Sequence, residues 1–290
     1  MNTAPITYHP APRKPSFVMP AGACDTHCHV FGPGDRFPYA PESRLQPGDA
    51  PKEKLFALHD MIGIERCVIV QTGVHGFDNS ATADAISARA GRYLGIALLP
   101  ADVPDDEIAR HHALGFRGIR FNYMAHLEGG ASMDTLLRLA DRLSKFGWHL
   151  QIHMDSDLIA EKASGLAKAS VPVVIDHMGR IDASRGLDQV PFNALQRLME
   201  TRHIHVKVSG GERASRLDAP YEDAVPFARK LVETFPDRVL WGTDWPHPNF
   251  RSLPPDDGVL VDLIPEIAPT RELQQALLVD NPLRFYRFAA

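Results

Sequence analysis

The chain has 290 residues, 44% hydrophobic and 23% charged, with a formal net charge of −5. That balance argues against nucleic acid or an anionic membrane as the main partner, and no apolar run approaches the roughly 18 residues of a membrane span. Cys24, Cys28 and Cys67 form neither a CxxC pair nor an even framework, which points to a reducing, cytoplasmic setting.

The first twenty residues are proline-rich and polar, with no apolar stretch of the signal-peptide type. They are expected to form an extension, residues 1–20, ahead of a single domain over residues 21–290. The first apolar run, residues 23–30, contains Asp25-Thr26-His27-Cys28-His29. Side chains alternate along a strand, so His27 and His29 share one face and Cys28 takes the other. Further strand-like runs fall at residues 66–71, 93–99, 116–121, 148–153, 171–177, 203–208 and 238–244. Between and after them, helical periodicity marks residues 53–62, 82–90, 105–114, 133–146, 157–169, 192–201, 221–235 and 271–288. Eight alternations without a linker predict an α/β fold, a single-domain (β/α)8 barrel of the TIM type. The near-continuous apolar strands agree, because helices would cover the sheet. An open doubly wound sheet lacks support, as no GxGxxG follows the first strand. The segments at 32–51 and 250–258 read as loops over the active face.

Barrel chemistry sits at the carboxyl ends of the strands. Those ends carry His27 and His29, His75, Arg120 and Asn122, His153, His177, Lys207 and Ser209, and Asp244, in chain order. Imidazoles and a carboxylate are zinc ligands, and His27, His29, His153 and Asp244 supply such a set. The same groups suit a metal-free site in which Asp244 deprotonates water and the histidines polarise a carbonyl. The cofactor is therefore none or one divalent metal, zinc.

Three motifs carry a resemblance: Asp25-Thr26-His27-Cys28-His29, Val174-Ile175-Asp176-His177-Met178-Gly179-Arg180, and Trp241-Gly242-Thr243-Asp244-Trp245-Pro246-His247. Together with Gly118-Ile119-Arg120-Phe121-Asn122 and Asp280-Asn281-Pro282, they resemble the amidohydrolase superfamily. More narrowly, the chain is similar to its 2-pyrone-4,6-dicarboxylate lactonase branch, related to the sulfomuconolactone hydrolases. The resemblance implies hydrolysis of a lactone bearing anionic groups, without a metal in the pyrone-dicarboxylate enzymes. It implies Asp244 as general base on water, with His27, His29 and His177 holding or polarising the carbonyl. Arg120 and Arg213 match arginines that bind substrate carboxylates, for which a bidentate guanidinium is suited.

The chain departs from that branch in three places. His153 replaces a tyrosine and restores the fifth-strand histidine of metal-binding amidohydrolases. Ala125-His126 replaces a Lys-Arg pair, which removes one carboxylate clamp. Thr72-Gly73-Val74-His75-Gly76 replaces Ala-Ser-Cys-His-Gly. A muconolactone carrying carboxylate or sulfonate suits these changes, with His75, His126 and His153 as substrate contacts.

Among the remaining residues, Lys207 reads as paired to a carboxylate rather than as a nucleophile, and His247 as a structural hydrogen-bonder. Asp25 and Asp176 read as orienters of their neighbours, and Arg180 as either an anion contact or a loop brace. His111 and His112 are expected on an exposed helix face. The expected partner is a small anionic lactone, with no nucleic acid or membrane, and a homo-oligomer is allowed. The competing activity is a metal-dependent decarboxylase of the same superfamily, against which Arg213 and the lactonase motifs speak. A binding protein without catalysis would be expected to have lost Asp244 or the paired histidines.

Overall fold

The computed structural model describes residues 6–43, 45–124, 131–248, 250 and 253–288. Eight parallel strands follow one another in sequence order around a barrel. They are β1 (Cys24–Cys28), β2 (Arg66–Val70), β3 (Tyr93–Ala97), β4 (Phe116–Tyr123), β5 (His149–Met154), β6 (Val173–Ile175), β7 (Ile204–Lys207) and β8 (Val239–Leu240). Each runs close to its expected position. The last is the shortest, because residues 241–245 leave the β7 ladder and bond across to the first strand. There Thr26 N–H donates to Trp241 (3.0 Å), Asp244 N–H to His27 (2.7 Å) and His29 N–H to Trp245 (2.7 Å). The seam between first and last strands therefore runs through the residues expected to be functional.

The two faces of the strands separate into two clusters. Cys67 and Ile69 belong to the large shell between strands and helices, whereas Val68 and Val70 belong to a small inner cluster with Cys24, Leu94, Ile96, Val174 and Leu240. Tyr286 completes the inner cluster. Its neighbour Phe285 lies 4.8 Å from the His149 ring and 4.5 Å from that of His205, at the starts of β5 and β7. The closing helix thus plugs the end opposite the chemistry. The expected single helix over 271–288 is instead Arg271–Gln275, a π turn Ala276–Asp280 and Asn281–Tyr286, with Pro282 opening the last piece.

The outer helices follow their apolar spacing. Met133–Ser144 buries Leu136, Leu139, Ala140 and Leu143, one stripe at i, i+3, i+4 and i+7, and Ser132 caps it by accepting from Thr135 N–H. The helix Asp105–Ala113 differs from expectation at His111, which is only 3% exposed and packs edge-on to Phe116. Part of the segment after residue 250 is helical too, over Asp257–Asp262 and Ile264–Ile267. No helix among the described residues is long and apolar enough to cross a membrane.

Residues 6–20 lie against the barrel rather than apart from it. Thr7 Oγ1 donates to Gly48, Arg13 N–H to Asp256, and the N–H groups of Ser16 and Phe17 to Asp262. The Tyr8 ring lies 5.4 Å from that of Trp245, next in sequence to Asp244.

Candidate active site

A buried carboxylate ties the seam together beneath the site. Asp25 Oδ1 accepts the N–H groups of His27 (2.9 Å) and Thr243 (3.1 Å), and Oδ2 accepts Thr243 Oγ1 (2.6 Å). His59 Nε2 lies 3.2 Å from Oδ2, and its Nδ1 lies 2.6 Å from the Tyr93 hydroxyl. Close approach of the two strands requires Gly242, where a Cβ would come within 2.6 Å of His27 N and 2.7 Å of His27 Cβ.

Asp244 follows β8 in a left-handed conformation with φ 64°. His177 enters from β6 through a run of left-handed residues, His177 (φ 51°), Met178 (51°), Gly179 (64°) and Arg180 (56°). Such backbone costs about 1–2 kcal/mol for each non-glycine residue, and strain of this kind collects at functional sites. It aims His177 at the seam and leaves Arg180 on the same rim.

One oxygen of Asp244 is ringed by imidazoles. Its Oδ1 lies 3.1 Å from His29 Nε2, 3.6 Å from His27 Nε2 and 3.6 Å from His177 Nε2. Its Oδ2 accepts from Arg213 Nε, carried on the short helix Gly211–Ala214. His29 Nδ1 is held on the Val70 carbonyl (2.7 Å), and His177 Nδ1 pairs with Ser209 Oγ (3.0 Å). All four core groups are at most 3% exposed. Distant segments therefore deliver His27, His29, His177 and Asp244 to one point, with Arg213 beside them.

Burial alone would push the Asp244 carboxyl up, but Arg213, then His177 and the His29 hydrogen bond, hold it well below the usual carboxylate range. Burial pushes the His27 imidazole down to about 3, opposed chiefly by Asp176. Burial likewise holds His177 and His153 well below the ordinary imidazole value. At neutral pH the centre is thus one ionised carboxylate facing neutral rings of His27 and His177.

The other expected residues are placed as follows. His153 lies on the rim with Nδ1 3.1 Å from Asn122 Oδ1, its ring 5.5 Å from that of His177, and its Nε2 buried without a hydrogen-bond partner among the described residues. Arg120, 5% exposed, donates through Nε to Asp176 Oδ2 at 2.9 Å, so one edge of its guanidinium is committed within the barrel. His75 shapes the covering loop: Nδ1 donates to the Pro38 carbonyl (3.0 Å) and Nε2 accepts Gly32 N–H (3.2 Å). His126 lies outside the described residues.

Lys207 makes its expected carboxylate pairing, with Asp176, at the long limit of an ion pair. Its hydrogen bonds go to the Thr26 carbonyl, Gln151 Oε1 and His27 Nδ1, while the Asp176 carboxylate stands 3.9 Å away. Burial lowers it to about 8, which still leaves an ammonium at neutral pH. Gln151, which joins this lysine to Asp176 and so to Arg120, is a site component that the sequence reading lacks, whereas Asp176 takes the orienting role expected of it. The signal was present for Gln151, since His149, Gln151 and His153 alternate along β5 and share its inner face.

His247 is bound into a buried group that adjoins Asp244, Nε2 3.0 Å from Asp257 Oδ1 and Nδ1 3.4 Å from Glu212 Oε1. Burial opposes its charge, yet Asp257 and Glu212 together raise it to about 10. Burial also pushes Asp257 up while His247 pulls it down; two carboxylates against one ring favour the imidazolium. A raised imidazole stabilises the fold fully below about pH 6.5, and that stabilisation is lost as pH rises through about 10. His247→Asn is expected to narrow the gap to wild type as pH rises across this window, read as thermal midpoints. A constant gap would exclude the charged pair.

The donor chemistry also fits one divalent cation. One ring nitrogen each of His27 and His177 and an Asp244 oxygen lie within 4.8 Å of one another, and His27 Nε2 has no hydrogen-bond partner among the described residues. Of the metal set expected from sequence, His29 and His153 are outside that group, and His177 is within it. A cavity of about 460 Å³ opens beside Arg213, lined also by Arg180, Arg216, Asp155, Asp157 and Asp182. A larger groove of about 860 Å³ runs between Phe17 and Gln274, lined by none of the imidazoles.

A family profile for amidohydrolases matches residues 24–288. A 2-pyrone-4,6-dicarboxylate hydrolase from Comamonas testosteroni is 46% identical, covering 97% of this chain and 95% of its own. A 4-sulfomuconolactone hydrolase from Hydrogenophaga intermedia is 39% identical, covering 93% and 90%. In fold, the chain is similar to an amidohydrolase from Burkholderia multivorans solved with bound zinc, with TM-score 0.72 at 18% identity, covering 93% of this chain and all of that one.

Proposed function

The chain belongs to the amidohydrolase family and is a lactone-opening hydrolase of it, and from that premise we propose that Asp244 acts as general base on a ring bearing carboxylate or sulfonate groups. The observation that carries this reading is the Asp244 carboxylate, one oxygen ringed by three imidazoles and the other held by a guanidinium. Asp244 takes a proton from water as the water oxygen bonds to the lactone carbonyl carbon. The carbonyl π pair moves to oxygen, where His27, His29 and His177 stabilise the charge through hydrogen bonds in a site closed to solvent. When the carbonyl re-forms, the ring C–O bond breaks and the leaving oxygen recovers the proton from Asp244.

Arg213 is placed to exchange Asp244 for an anionic substituent of the substrate, and Arg180 lines the adjoining cavity, where Arg216 is paired to Asp182 and Asp155 and Asp157 add negative charge. Arg120 acts on the substrate only through the edge that Asp176 leaves free. His75 and His153 line the approach, and His126 is a further candidate contact. A divalent ion held by His27, His177 and Asp244 would supply a water of pKa near 7. We assign the protein to the cytoplasm on its reduced cysteines.

The test is ring opening on a panel of 2-pyrone-4,6-dicarboxylate, carboxy- and sulfo-muconolactones and an uncharged lactone, with metal content measured on the same sample. Opening of an anionic member well ahead of the neutral one is expected. Turnover of none of the anionic lactones would defeat the substrate reading.

A further inference from the structure

Lys207 is wholly buried at the end of β7, where all three ammonium N–H bonds must find acceptors inside the protein. One goes to the Thr26 carbonyl at 2.7 Å and one to Gln151 Oε1 at 2.9 Å. The orientation of Gln151 is fixed at its other end, where Nε2 donates to Asp176 Oδ2 at 3.1 Å. The third N–H lies 3.3 Å from His27 Nδ1 in hydrogen-bonding geometry. Asp176 Oδ1 is the rival for that nitrogen at 3.2 Å, but among the described residues no well-aligned hydrogen bond reaches this oxygen. A neutral imidazole carries a single N–H. An Nδ1 that accepts from Lys207 requires the proton on Nε2, which faces Asp244 Oδ1 at 3.6 Å and has no hydrogen-bond partner among the described residues.

We propose that Lys207 is a positioning residue that holds His27 as the Nε2–H tautomer, so that His27 enters ring opening as a hydrogen-bond donor to the lactone oxygen rather than as a ligand of a cation. The catalytic half of this inference rests on the lactonase reading; the tautomer does not. A metal-bound His27 needs the opposite arrangement, with its lone pair on Nε2 and Nδ1–H donated to a carboxylate. Asp176 is the carboxylate in place for that. Lys207 and Asp176 therefore pull His27 toward two exclusive uses, and the alignment of their contacts favours the first. His29 shows the contrast, because its Nδ1 rests on the Val70 carbonyl, with no ammonium beside it.

The test is nitrogen-15 labelling of histidine, with two-bond proton–nitrogen correlations that separate the tautomers and His27 assigned by the signal lost in His27→Gln. Wild-type His27 is expected protonated at Nε2. In Lys207→Met it is expected to switch to Nδ1–H on Asp176, with kcat falling at nearly unchanged KM. Zinc affinity of that variant, measured by calorimetry, is expected to rise roughly tenfold, the low end of effects seen when partners of a ligating histidine change. Asp176→Asn is expected to keep Nε2–H and to bind zinc more weakly. A wild-type His27 protonated at Nδ1, or a Lys207→Met protein that keeps Nε2–H, would overturn the proposal. If Lys207→Met does not fold, the wild-type spectrum and Asp176→Asn decide it. An Nε2–H His27 in a protein that opens no lactone would sink the lactonase reading while leaving the role of Lys207 standing.

Discussion

Asp244→Asn is expected to lose nearly all ring-opening activity while keeping the fold. The amide keeps the shape of the carboxylate, and the Asp244 N–H bond to the His27 carbonyl across the seam is a backbone contact that the substitution leaves alone. What disappears is the site that receives the water proton. A positioned general base is worth about 10²–10⁴-fold, and the amide also disturbs the three imidazoles that face Oδ1, so the loss should lie at or beyond the upper end of that range. Steady-state kinetics with circular dichroism on the same sample checks this. Full activity in a folded Asp244→Asn protein would exclude the mechanism.

Arg213→Met is expected to change two observables at once. The guanidinium donates to Asp244 in the ligand-free protein and also reaches the Pro248 carbonyl at 3.2 Å. Removing it deprives an anionic substrate of a charge-assisted contact, worth about 1.5–3 kcal/mol or roughly 10–150-fold in kcat/KM. It also removes the strongest influence holding the Asp244 carboxyl down. Activity requires the ionised carboxylate, which in wild type persists well below the usual carboxylate range. The acid limb of the pH–rate profile should therefore move to higher pH in the variant, so that activity is lost sooner on acidification. A lower kcat/KM with an unmoved acid limb would assign Arg213 to the substrate alone.

The barrel was readable in the sequence because its strands are buried on both faces, which turns each into a short β-branched run whose position survives small errors of boundary. The histidines were readable because they end those runs. Less was readable where pairing is non-local. Nothing along the chain says that Arg120 donates to Asp176, 56 positions away, or that Arg213 rests on Asp244 before any substrate arrives. Lys207 is expected to find a carboxylate because burying an ammonium demands a partner; Asp176 stands 3.9 Å away as that partner, while a carbonyl, an amide and an imidazole that the sequence does not point to take its hydrogen bonds. His111 lies on a polar helix, and only the packing of Phe116 against it shows why it is covered. The final strand contracted to two residues because the segment carrying Asp244 bonds across the seam instead. His126 remains an expectation from sequence.

The seam joins the earliest and latest parts of the barrel to be synthesised. His27 and His29 leave the ribosome more than two hundred positions ahead of Asp244, and the carboxylate reaches them only when the eighth strand arrives. A nascent chain that has laid down seven strands holds its imidazoles without their anion, and on the role proposed for Asp244 ring opening awaits closure of the barrel.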